Sequence, residues 1–124
     1  MTDAGRAETA ALVAAGGFVG ANLRYLVDGA LPGLGGTLLV NAVGSLALGW
    51  LLADAMTDLL AGRHRLVFGT GLLASFTTYS TFAVETLRAP GAWPLANLLA
   101  TYALGFAGVL VGQAVARRVG GAWA

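Results

Sequence analysis

The stretch SFTTYSTF, Ser75 to Phe82, carries a hydroxyl on six of its eight side chains, and apolar sequence flanks it on both sides. Whether the chain can run through it as one helix decides the fold. Thr77, Thr78 and Thr81 can return their hydroxyls to backbone carbonyls in the preceding turn, which bends helices. Were the helix to continue, Thr78 and Thr81 would fall near one face, and Tyr79 and Phe82, three apart, near another. So dense a cluster of threonines predicts a bent or broken helix rather than a catalytic site. Within a membrane, such a break is tolerated where its freed carbonyls face protein, water or an ion.

Composition supplies the membrane. Of 124 residues 57% are hydrophobic and 10% charged, with a mean hydropathy of +0.76. A chain this short cannot hide that much apolar surface in a soluble core, because small domains leave much of their surface in water. The formal net charge is +1 and every basic residue is arginine. No basic patch tracks phosphates, so nucleic acid is excluded as a partner. There is no cysteine, hence no disulfide and no thiolate site. The single histidine, His64, lies between Arg63 and Arg65 in a polar connection and reads as a loop residue. The N-terminal stretch lacks the layout of a cleaved signal and reads as a retained first helix.

A spanning helix needs about 20 mostly apolar residues, and four stretches qualify, about 9–26, 36–55, 66–83 and 95–116. Breaks containing Gly and Pro at 30–36 and 88–94, and a polar connection at 57–65, separate them. The expected fold is therefore an all-α membrane domain of four transmembrane helices, the third broken near its middle, with successive helices antiparallel. Small residues recur where helices could meet, including the GxxxG pair Gly108 and Gly112. With four spans, both termini share a side with the 57–65 connection. That side holds Arg6, Arg63, Arg65, Arg117 and Arg118, against Arg88 and Arg24 on the other, which predicts cytoplasmic termini.

Polar groups inside a membrane are costly and become functional candidates. Arg24, in GANLRYL near the end of the first helix, reads as either an interfacial anchor or a fixed positive charge drawing anions into a vestibule. Asn41 sits among apolar neighbours in the second helix; it serves an interhelical hydrogen bond or a pore. Thr37, Asn41 and Ser45, four apart, form one polar stripe. Asp54, Asp58 and Glu85 fall near span ends and read as interfacial. No embedded histidine, carboxylate pair or base beside a serine offers an enzyme's machinery.

Three blocks, GGFVGANLRY at 16–25, GTLLVNAVGSLALG at 36–49 and TGLLASFTTYSTFAVE at 70–85, resemble in order the signature blocks of the CrcB family, also called Fluc fluoride channels. The resemblance implies a plasma-membrane channel that lets fluoride leave the cytoplasm passively, so reducing its toxicity. It also implies a dual-topology dimer of antiparallel subunits with two pores between them. A structural sodium ion, not transported, would be held by backbone carbonyls at the break in the third helix, here Ala74 and Thr77. On the same resemblance Asn41 is the pore asparagine. Tyr79 and Phe82 are the aromatic box, with the hydroxyls of Ser80 and Thr81 between them. Asn97, Thr101 and Gly105 form a polar track on the fourth helix. Fluoride is small and strongly hydrated, so a dry passage must replace its water with donors. Aromatic edges, which are positive, suit an anion as well.

Three departures from the family pattern matter. Ala74 and Ser75 stand where two glycines are usual, and a Cβ resists positive φ. Tyr79 replaces a phenylalanine, and Gly105 carries no hydroxyl. Together with the arginine imbalance, these departures favour a heterodimer with a homologous subunit of opposite orientation over a homodimer. Two further classes compete: a non-conducting subunit that completes a partner's pore, and a proton-coupled small multidrug-type exporter. The exporter needs a carboxylate deep within a span.

Overall fold

The computed structural model describes residues 3–57 and 62–121, and every regular element among them is helical. In chain order these are α1 (Asp3–Ala30), α2 (Leu34–Thr57), α3 (Gly62–Arg65), a π-helical segment (Leu66–Leu73), α4 (Ala74–Phe76), α5 (Tyr79–Arg88) and α6 (Trp93–Gly121). Three helical stretches, Gly5–Ala30, Leu34–Ala53 and Trp93–Val119, are long and apolar enough to cross a membrane. The third expected span, 66–83, is divided among the π-helical segment, α4 and α5. His64, read as a loop residue, is exposed within the helical turn α3. Asp58, together with the side chain of Asp54, falls outside the described residues.

Two Pro-Gly pairs set the turns after α1 and before α6. α1 stops two residues before Pro32, and Gly33 follows at φ +80°, a left-handed conformation that glycine adopts without strain. Ala89 takes φ −69°, ψ 138° ahead of Pro90, because the proline ring disfavours the helical region for the residue before it. Gly91 then turns the chain at φ +58°.

The bundle is made of two close pairs, α2 along α6 and α1 along the π-helical segment. Glycine allows the second approach: a Cβ at Gly20 would fall on the Leu72 carbonyl, and one at Gly16 on that of Val67. Gly108 and Gly112 likewise lie against the α2 backbone, so this GxxxG pair packs within the chain. Gly20→Ala should lower the unfolding midpoint in detergent by the equivalent of about 1–3 kcal/mol, since backbone cannot move aside as a side chain can. An unchanged midpoint would contradict the close approach.

The burial pattern is inverted relative to a water-soluble protein. Phe18, Leu87 and Phe106 stand exposed, while Thr37, Thr78 and Asn97 are buried. Apolar surface on this scale faces lipid or another protein. Thr78 and Asn97 find partners inside, whereas the Thr37 hydroxyl is buried without one.

Candidate functional site

The third span breaks at Thr77 and Thr78, whose backbones are extended at φ −77°, ψ 159° and φ −148°, ψ 125°. β-branched threonine is at ease in that region. Ala74 remains right-handed helical at φ −64°, ψ −30°, and Ser75 lies within α4. Neither residue is asked for positive φ, so the loss of two glycines strains nothing here.

Two extended residues deprive helical carbonyls of their donors. In an unbroken helix the Thr78 N–H would bond the Ala74 carbonyl; it donates instead to Asn41 Oδ1 at 2.9 Å. Asn41 Nδ2 returns a bond to the Thr78 carbonyl at 3.0 Å. Similarly, the Thr81 N–H turns from the Thr77 carbonyl to Thr78 Oγ1 at 3.2 Å. Thr78 is thus the N-cap of α5, and its hydroxyl donates on to Thr81 Oγ1 at 3.0 Å. Thr77 Oγ1 donates back to the Leu73 carbonyl at 2.9 Å, the back-bonding that the threonine cluster predicts.

Arg24 lies inside α1, well short of its end at Ala30, and is half-buried. Its Nη1 donates to the Thr77 carbonyl at 3.3 Å. The guanidinium therefore reaches the break from α1. A positive charge is fixed beside the freed carbonyls.

Beside the break an open groove runs between α2, α5 and α6. Asn41, Tyr79, Phe82 and Thr101 line it, together with Ala74, Thr77 and Gly105. Phe82 is 5% exposed, whereas Tyr79 is 74% exposed and stands out from the protein. The two ring centroids are 5.8 Å apart at 49°. Tyr102 joins them, its ring perpendicular to that of Phe82 at 6.4 Å. Thr101 Oγ1 is buried with no hydrogen-bond partner, an arrangement that is costly unless something in the groove answers it.

Not every expected residue reaches the groove. Thr81 is absent from its lining, and its hydroxyl accepts from Thr78. Ser80 is exposed, its Oγ 3.4 Å from Thr78 Oγ1. Asn97 is buried elsewhere and donates to Thr86 Oγ1 at 2.7 Å; that hydroxyl donates to the Phe82 carbonyl at 2.6 Å. This relay ties α6 to α5 and fixes the backbone that carries Phe82.

Sequence reasoning missed three groups. The cap at Thr78 had a signal, a threonine opening a helical run, but Tyr102 and Glu85 had none. Glu85, expected at an interface, lines a second cleft with Gly33, Arg88 and Trp93, and its Oε2 is buried without a partner.

The released carbonyls of Ala74 and Thr77 are hard oxygen donors without a helical N–H, the type of group that would hold a sodium ion. Arg24 occupies one lone pair of the Thr77 oxygen, and each carbonyl has two.

Long apolar helices, an outward apolar surface and a broken helix with freed carbonyls beside a donor-lined groove define a small polytopic membrane protein. Its site is built at an interrupted helix, where membrane proteins gather ion-binding groups. The family described as "CrcB-like protein, Camphor Resistance (CrcB)" matches residues 11–113. A relative from Haloarcula marismortui named "Fluoride-specific ion channel FluC 1" is 55% identical over 115 residues, 92% of this chain and 90% of the relative. "Fluoride-specific ion channel FluC 2" of Halobacterium salinarum is 58% identical over 113 residues, 89% of this chain and 88% of its own length. A Roseiflexus relative, "Fluoride-specific ion channel FluC", is 44% identical over 118 residues, covering 85% of this chain and 94% of the relative. The chain belongs to the CrcB family.

Proposed function

We propose that this chain is a subunit of a fluoride-specific ion channel, not an enzyme, and that it carries fluoride passively out of the cytoplasm across the plasma membrane. The observation that carries this reading is the groove, where Asn41, the Phe82 ring and the unpartnered Thr101 hydroxyl converge; the names of the relatives agree. A desolvated fluoride takes N–H and O–H donors in place of water, and Arg24 raises the local concentration of anions.

The groove is open on one side and Tyr79 stands away from its own chain, which suits closure by a second subunit. In the full assembly two antiparallel subunits enclose two pores, and the third span crosses the bilayer as two half-helices. The termini face the cytoplasm. With Arg24 inside α1, Arg88 alone remains opposite Arg6, Arg63, Arg65, Arg117 and Arg118. That bias favours pairing with a homologous subunit of opposite orientation over self-pairing. Between the subunits a structural sodium ion is coordinated by the Ala74 and Thr77 carbonyl oxygens, hard donors that suit a hard cation.

Liposomes loaded with fluoride and containing the chain, alone and then with a homologous subunit from the same cell, test the reading. Fluoride efflux in either case supports it, and no efflux in both defeats it. Flux from the chain alone as an antiparallel homodimer would overturn the heterodimer. Exchanging sodium for a bulky organic cation should lower the unfolding midpoint of the assembly; an unchanged midpoint removes the ion.

A further inference from the structure

The groove has a gap in its polar lining. Thr101 offers a hydroxyl from α6, but Gly105, one turn further along the same face, lines the groove with no donor at all. An ion passing Thr101 would meet bare backbone there.

Directly across from that gap stands Ser45 of α2. It lines the same groove, one turn beyond Asn41. A Cβ built at Gly105 would lie 3.6 Å from Ser45 Oγ, with no other atom that near. A helical serine commonly returns its proton to the carbonyl one turn earlier. Among the described residues Ser45 makes no such bond and no other, so its O–H is free to serve the groove.

We propose that Ser45 supplies the hydroxyl that position 105 lacks, so that fluoride passes from Thr101 to a donor on α2 instead of one on α6. The inference rests on the channel reading and names a residue that orders the ion's path within it. Ser45 is a pore donor by the same chemistry as Thr101. The absence of a side chain at Gly105 is what gives its hydroxyl access.

Position matters here more than identity, and a swap tests it. Ser45→Ala keeps the Cβ and removes only the hydroxyl, so fluoride efflux from liposomes should fall about five- to tenfold, the rate equivalent of one hydrogen bond. Adding Gly105→Ser in that background returns a hydroxyl to the gap from the opposite wall and should restore most of the flux. The unfolding midpoint of Ser45→Ala should stay at the wild-type value, since no bond within the chain is lost.

Wild-type flux in Ser45→Ala would overturn the proposal, as would a loss that Gly105→Ser fails to repair. Absence of flux in the wild-type assembly would instead defeat the channel reading itself. If the double variant does not assemble, Ser45→Thr provides the second arm. Flux kept by threonine and lost with alanine supports the hydroxyl; equal loss in both overturns it.

Discussion

Asn41→Leu should unfold the break and abolish fluoride efflux together. The leucine fills the space of the amide but leaves the Thr78 N–H and C=O without the bonds they make to Asn41. Thr78 is buried, and each stranded backbone group costs about 1–3 kcal/mol. Both losses fall on one residue, so a markedly lower unfolding midpoint is expected in detergent, with little folded protein at growth temperature. Proteolysis at the break would check the same point, because an unpinned Thr77–Thr78 segment should be cut sooner than the wild type. A variant with wild-type stability would mean that the Asn41–Thr78 pair is not what holds the break.

Phe82→Ile separates flux from folding. Phe82 sits at the groove, buried between Tyr79 and Tyr102. Isoleucine keeps an apolar side chain there but has no ring edge to turn toward an anion. Efflux should drop at least about tenfold, a factor that corresponds to about 1.4 kcal/mol on a barrier. The unfolding midpoint should change far less than in Asn41→Leu, because packing is only partly lost. Wild-type flux in a folded variant would remove Phe82 from the ion path.

The two variants also mark how far the sequence can be read. Long apolar runs between Pro-Gly breaks predict α1, α2 and α6 directly, because span length is fixed by the bilayer and survives any packing arrangement. The helix break was legible too, since consecutive threonines favour both back-bonding and extended backbone. What held the break was not. Asn41 meets Thr78 across 37 positions and Arg24 meets Thr77 across 53, and no helical period links residues so far apart. Asn41 therefore read equally as a strut or a pore donor, and it proves to be bonded to the break while also lining the groove. Asn97 shows the converse. Its spacing of four from Thr101 puts both on one expected track, yet Thr86 captures its amide, because a nearby hydroxyl decides an amide's partner more strongly than periodicity does.

The pair of hydrogen bonds at Thr78 also settles which way round the Asn41 side chain sits. A side-chain amide is nearly symmetric in shape, and its oxygen and nitrogen are told apart only by their partners. Here the backbone N–H demands the oxygen and the backbone carbonyl demands the nitrogen, so a flip would set like against like twice. The oxygen is already engaged, and the nitrogen keeps a second hydrogen in reserve. A bond that looks like scaffolding thus fixes which end of the amide is spent and which is left over: the oxygen is taken by the backbone, and what Asn41 still has to give is an N–H.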